Sequence, residues 1–267
     1  MKKIIKRGII FYNEDKPLAT ELYFEYKEFL EEKGMEILPK SRIKDGDFAV
    51  VIGGDGTLLR ASKTIIENEN IDVFAVNAGS LGFLTEIKKE EFKNTFERYL
   101  EGKVDKEERV LLKLKYNDEI FHVLNDVVVV KKRALSKVIR LKVMVKDKML
   151  FTLKADGIIV STPTGSTAYS LSAGGPILLP DLEVMVITPL APHNLTSRPI
   201  VLGNKEKVNI SLLSDEDGEI IVDGDINRQI KKDSVLELYS CDKKIKLVLP
   251  ENRDYYSVLH EKLKWNE

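Results

Sequence analysis

Apolar residues recur along this chain at two spacings, and the change from one to the other divides it. In the N-terminal part, short apolar runs alternate with stretches of helical period. Lys3 to Phe11 (KIIKRGIIF) predicts a strand, and Asn13-Glu14-Asp15-Lys16-Pro17 follows as a helix start, acidic residues with a proline. Leu18, Leu22, Tyr26, Phe29 and Leu30 then fall on one helical face, Gly34 closes the helix, and Met35 to Leu38 reads as a short second strand. The run Phe48 to Ile52 predicts a buried strand, Leu58 to Ile66 a helix, Ile71 to Asn77 another strand, and Lys88 to Leu100 a helix with Phe92, Phe96 and Tyr99 on one face. This alternation is that of a doubly wound α/β domain, which we expect over residues 1–102 with Gly102 as its end.

Beyond Gly102 the period shortens to that of strands. They are expected at Arg109 to Tyr116, Ile120 to Val130, Val138 to Val145, Met149 to Lys154 and Gly157 to Ser161. More follow at Glu183 to Ile187, Val208 to Leu213, Glu219 to Val222, Val235 to Tyr239 and Lys244 to Val248. Asn117-Asp118 and Asp147-Lys148 suit tight hairpin turns, so residues 103–249 are expected to form a β-rich, antiparallel, sandwich-like domain. Thr164 to Ser172, rich in small hydroxyl residues and followed by Gly174-Gly175-Pro176, interrupts it as a glycine-opened helix. Asp254 to Trp265 carries Tyr255, Val258, Leu259 and Leu263 on one helical face, and residues 250–267 are expected to return to the first domain.

Composition narrows the classes. Charged side chains make up 32% of the chain, yet 42 basic and 43 acidic residues leave a net charge of −1, so no global field marks a nucleic-acid or membrane binder. The single cysteine, Cys241, excludes an internal disulfide framework, and neither a signal-peptide start nor a membrane-spanning run is expected. These features predict a cytoplasmic protein. The three histidines, His122, His193 and His260, are too scattered for a zinc site.

The candidate chemistry centres on Gly53-Gly54-Asp55-Gly56-Thr57, a turn that leaves the Phe48 strand and opens a helix. Backbone N–H groups at such a helix start face anions, so Gly53, Gly54, Gly56 and Thr57 read as a phosphate loop. Side chains at the three glycines would hold a ligand away from the backbone and forbid positive φ. Asp55 would stand at the carboxyl end of its strand, where α/β sheets bind ligands. The same residues also make ordinary turns, and the polar pair Asn125-Asp126 inside an apolar strand, Asp156-Gly157 and the Thr167 to Ser172 start add weight to a ligand site.

These blocks, together with Leu81-Gly82-Phe83-Leu84, the run Asp156 to Pro176 (DGIIVSTPTGSTAYSLSAGGP) and Ser197-Arg198-Pro199-Ile200, resemble the signatures of the NAD kinase family. The glycine-aspartate turn alone is shared with lipid kinases of the diacylglycerol type; the long Asp156 block is specific. The resemblance implies phosphoryl transfer from ATP or inorganic polyphosphate to the 2′-hydroxyl of the adenosine ribose of NAD, with a divalent metal, Mg²⁺, and a homo-oligomer, dimer or tetramer. It further implies that Asp55 is the general base and that Asn125 and Asp126 bind ribose hydroxyls. Asp156 would meet the nicotinamide end, and Thr167, Ala168, Tyr169, Ser170, Leu171 and Ser172 would line the dinucleotide. The family more often has Glu where this chain has Asp126. Gly56 and Arg60 would help position phosphates, though Arg60 equally suits a solvated helix surface. Lys154 would either offset the charge of Asp156 or stand in solvent. No side-chain metal cage is visible, as suits an ion carried on substrate phosphates. Asp223-Gly224-Asp225 reads as a hairpin turn or as a further site element.

Overall fold

The computed structural model describes residues 6–264 except 80–81, 133–136 and 254. The expected strand residues Lys3 to Ile5, the loop residue Leu81 and the helix ends Asp254 and Trp265 lie outside the described residues. In chain order the elements are β1 (Arg7–Tyr12), α1 (Pro17–Glu32), β2 (Glu36–Leu38), β3 (Phe48–Gly53), α2 (Asp55–Ile65), β4 (Asp72–Asn77), β5 (Ile87–Lys88) and α3 (Phe92–Glu101). Then come β6 (Lys106–Tyr116), β7 (Glu119–Val123), β8 (Asp126–Lys131), β9 (Ile139–Val145), β10 (Lys148–Ala155), β11 (Gly157–Ser161) and α4 (Tyr169–Ser172). The chain finishes with β12 (Val184–Leu190), β13 (Ile200–Gly203), β14 (Val208–Leu212), β15 (Gly218–Val222), β16 (Ile226–Ile230), β17 (Val235–Val248) and α5 (Tyr255–Leu263). Two compact units result, one from residues up to Arg109 together with Lys244 onward, the other from Val110 to Lys243.

The first unit is the α/β fold expected from the alternating pattern. Its strands run in the order β2, β1, β3, β4 and the end of β17, all pairs parallel. Alternation along the strands puts Ile10, Phe48, Val50, Ile52, Phe74 and Val76 on one face, where they pack with Leu22, Tyr26 and Leu30 of α1 and Phe92, Phe96 and Tyr99 of α3. Helix α2 buries Leu58, Ala61 and Ile65 apart from this cluster, so helices cover both faces. Helix α3 starts at Phe92 because Ile87 and Lys88 instead pair with the end of β4, and Gly102 ends it in the left-handed conformation (φ 76°).

In the second unit the strands of two sheets pair antiparallel, as do β6 and β7. One sheet runs β10, β9, β14, β17 and the other β13, β12, β11, β8, β15, β16. Their inward positions form one core that includes Val127, Val129, Leu141, Ile158, Val160, Ile187, Ile210 and Ile220. Several expectations needed correction. The run Ile120 to Val130 is two strands, broken at Leu124-Asn125, because the amides there bond a side chain rather than a neighbouring strand. Val235 to Val248 is one strand rather than two, since Ser240 to Lys243 continue the ladder despite their polarity. Strands β13 and β16 were not expected, and the β9–β10 turn is Lys146-Asp147, both at positive φ, one residue earlier than read from the sequence. The helix expected from Thr164 to Ser172 is a 3-10 turn at Thr164–Thr167 followed by the single turn of α4.

Phe96 sits at the hub of the aromatic core, its ring centroid 5.0 Å from Phe48, 5.5 Å from Phe74 and 6.0 Å from both Phe92 and Tyr99. Phe96→Ala leaves a cavity that these rings cannot collapse into. The expected loss is about 3–5 kcal/mol, read as a lower urea midpoint for the first unit; a loss below about 1 kcal/mol would contradict this packing.

Candidate active site

In the first unit the site is built at the carboxyl ends of β3 and β4. Strand β3 ends at Gly53, α2 opens at Asp55, and the Asp55 side chain turns to the loop that follows β4. Its Oδ1 accepts from Leu84 N (3.1 Å), Thr85 N (3.0 Å) and Thr85 Oγ1 (3.0 Å), and its Oδ2 accepts from Phe83 N (2.9 Å). One carboxylate therefore satisfies three successive loop amides. A Cβ on Gly82 would fall inside the van der Waals surfaces of Asp55 Oδ1 and Thr85 Oγ1, so only glycine permits this approach. Asn77, which ends β4 opposite Gly53, donates to Thr85 Oγ1 (3.1 Å) and accepts from Gly79 N (2.6 Å). Asn77 was not singled out from the sequence; its only signal is an amide at the end of an otherwise apolar strand.

The glycine turn differs from the expectation in one respect. Gly54 is extended (φ −100°, ψ −176°) and Gly56 lies inside α2, so neither uses a positive φ. Open space lies beside both: apart from the adjoining backbone, no described atom is within 4 Å of a Cβ built on Gly54, and the Arg60 guanidinium, at 3.9 Å, is what approaches one on Gly56. What their lack of side chains preserves is room. Thr57 is buried, with its N–H on Gly54 O at 2.8 Å, and Arg60 is exposed on the next turn.

The second unit repeats the device. Asp223, at the β15–β16 turn with φ 49°, accepts from Leu124 N (3.0 Å) on Oδ2 and from Asn125 N (2.7 Å) and Asp126 N (3.1 Å) on Oδ1. Asp223-Gly224-Asp225 is thus a hairpin turn whose first side chain also shapes the Asn125-Asp126 loop. Gly165 lies so close to the Asn125 backbone that a Cβ there would overlap it, and Thr162 binds Asn125 O and Leu124 O at 2.9 and 2.6 Å. Asn125 Oδ1 is buried and has no hydrogen-bond partner among the described residues. Burial, and after it the negative charge of Asp223, pushes the Asp126 carboxyl up to about 7.

The remaining sequence candidates separate into two groups. Tyr169 is half exposed, Ser172 is exposed, and Thr167, Ala168 and Leu171 are partly buried around the 3-10 turn and α4. Ser170 is instead buried against Thr188 Oγ1 at 2.9 Å, a structural bond. Asp156 pairs with Lys131 at 2.7 Å; Lys154, on exposed strand surface, is not the cation beside it. Lys131 closes the apolar run of β8 and was not anticipated. His193 binds the backbone of β10 through its N–H on Lys154 O (2.9 Å). No group of three or more His, Cys, Asp or Glu among the described residues could hold a metal ion.

The chain thus comprises an α/β unit and an antiparallel β-rich unit. Models of the ATP-NAD kinase N-terminal and C-terminal domains match residues 36–104 and 124–249. An NAD kinase of Fusobacterium nucleatum is 44% identical over 266 residues, covering 99% of each chain, and one of Geobacter sulfurreducens is 44% identical over 237 residues, covering 86% of this chain and 83% of the other. The chain belongs to the NAD kinase family. Two solved structures share its fold. A yeast NADH kinase complexed with NADH has a TM-score of 0.90 at 23% identity, covering 100% of this chain and 89% of that one. An Archaeoglobus fulgidus NAD kinase in complex with ATP has 0.81 at 24%, covering 97% and 98%.

The displaced titration of Asp126 has a measurable consequence. An aspartate in the unfolded chain ionises near 3.9, whereas folded Asp126 keeps its proton to about 7. Between these values the folded state binds the extra proton, so this group's contribution to stability is present at low pH and is lost as pH rises through the window. Asp126→Asn escapes that loss. Its urea midpoint should gain steadily on the wild type from about pH 4 to about pH 7; a difference independent of pH would contradict the burial of an ionisable Asp126.

Proposed function

We propose that Asp55 is the general base of this NAD kinase, accepting the proton of the adenosine ribose 2′-hydroxyl as that oxygen attacks the terminal phosphorus of the donor. The new phosphorus–oxygen bond forms on the ribose, the bridging bond of the donor breaks, and NADP, the shortened donor and a proton result. The supporting observation is the division of labour between the two oxygens of Asp55: Oδ1 takes three donors and Oδ2 takes one. Oδ2 therefore keeps capacity for a hydroxyl within hydrogen-bond reach, which a general base needs. Thr85 and the loop amides hold the carboxylate in one direction, so little reorganisation is required at the moment of transfer.

The rest of the constellation is read in the same terms. The unpartnered Oδ1 of Asn125 suits a ribose hydroxyl as donor, and Asp126, titrating near neutrality, can both donate to and accept from a diol. Tyr169 offers a ring face to a base, flanked by Thr167, Ala168, Leu171 and Ser172. Asp156, with Lys131, receives the nicotinamide end, and the open space at Gly54 and Gly56 admits phosphate oxygens near Arg60. ATP or inorganic polyphosphate serves as donor. Mg²⁺, bound with the donor's phosphates, would supply charge neutralisation there. We read the protein as a cytoplasmic homo-oligomer, dimer or tetramer, a reading supported by exposed apolar residues such as Met149, Val201 and Val235. No helix among the described residues is long and apolar enough to cross a membrane.

The test is NADP formation by the purified protein with NAD, Mg²⁺ and either donor. Asp55→Asn, which keeps the shape but not the basicity, should lower kcat by at least about a hundredfold. Equal rates would remove Asp55 as the base, and absence of NADP with both donors despite NAD binding would refute the phosphoryl transfer itself.

A further inference from the structure

A second carboxylate lies directly behind the Asp55 loop, and the reaction described above makes no use of it. Glu86 follows Thr85 in the chain, and its side chain is only 6% exposed. Arg109 Nη2, on β6, lies 3.2 Å from Glu86 Oε1, and Arg253 Nε, from the segment between β17 and α5, lies 3.7 Å from Oε2. Arg109 is 1% exposed and also reaches Glu107 at 3.1 Å. Such a cluster is an expensive way to hold a loop, because packed apolar side chains of similar volume stabilise as well without desolvating charge. What a guanidinium and carboxylate supply in addition is direction.

That direction is transmitted to Asp55 in one step. Thr85 gives Asp55 Oδ1 two of its three donors, the N–H and the hydroxyl, and Glu86 is the next residue. At its other end the same loop is held by Asn77. Resting on the reading of Asp55 as base, we propose that Glu86, held by Arg109, is a positioning residue: it fixes Thr85 and so sets the orientation of the Asp55 carboxylate toward the ribose hydroxyl. Glu86 touches no substrate in this account. Its removal acts on the chemical step and leaves the Asn125-Asp126 loop, carried by Asp223, as it was.

The experiment uses the full chain with Glu86→Gln, and Arg109→Lys as the milder variant should the first fail to fold; lysine keeps the charge and loses the fork. Three readouts are taken: kcat and KM for NAD, amide hydrogen exchange at Phe83 to Thr85, and the same substitution in an Asp55→Asn background. The expected result is a fall in kcat of about ten- to a hundredfold, with KM for NAD within about twofold of wild type. Exchange should quicken at 83–85 and stay unchanged at 124–126. The residual rate of Asp55→Asn should not fall further when Glu86→Gln is added, since both act on one unit. Equal fold losses in both backgrounds, or unchanged exchange at 83–85, would overturn the proposal. A wild-type rate for Asp55→Asn alone would instead refute Asp55 as base, and the proposal with it, whereas an active-site role for Asp55 with an unaffected Glu86→Gln refutes the proposal only.

Discussion

A side-chain carboxylate that gathers three successive backbone N–H groups is the constraint on which the candidate residues of each unit depend. Asp55 does so for residues 83–85 and Asp223 for residues 124–126. Loop amides that leave the sheet still need acceptors, and a buried one left without costs about 1–3 kcal/mol. An anionic acceptor supplies stronger bonds than a carbonyl and does so for several donors at once. Strand β7 can therefore end abruptly at Val123 with its next two amides received by Asp223, and residues 83–85 are likewise held in the absence of regular secondary structure.

The two carboxylates differ in what remains to them. Asp55 is only partly buried, and its Oδ2 takes a single donor. Asp223 is buried beneath its loop, and its charge adds to the burial that pushes the Asp126 carboxyl toward neutrality. Burial likewise pushes Glu86 up to about 7 against the opposing pull of Arg109. One partly exposed acid surrounded by donors and others withdrawn from water are distinct electrostatic environments, and the proposed proton transfer falls to the partly exposed one.

Much of this was legible in the residues. The 3.6-residue period gave α1 and α2 within a few positions, the apolar runs gave β1, β3 and β4, and Gly102 stopped α3 in the left-handed conformation that glycine favours. The break between β7 and β8 was hidden because Val123 and Leu124 are as apolar as their neighbours; what ends the strand is Asp223, about a hundred residues away in sequence. Strand β16 was missed for the opposite reason: Asn227, Arg228 and Gln229 lack strand propensity and are held by pairing to β15. The resemblance to NAD kinases marked Asp55, Asn125 and Asp126 through their motifs. Thr85, Glu86, Arg109 and Lys131 make their contacts with Asp55, with one another and with Asp156 across long stretches of sequence, which no local pattern announces. Ser170, read as a ligand contact, turned out to be bonded to Thr188, because a hydroxyl on a one-turn helix can face the core as readily as the solvent.

The most direct measurement is amide hydrogen exchange of the unmodified protein, followed residue by residue through the two gathered loops. Phe83, Leu84 and Thr85, together with Leu124, Asn125 and Asp126, should be protected to the level of the adjoining strands although none but Asp126 lies in one. Exchange of these amides at the rate of open loops would mean that Asp55 and Asp223 do not hold them, and the account of both gathered loops would fail.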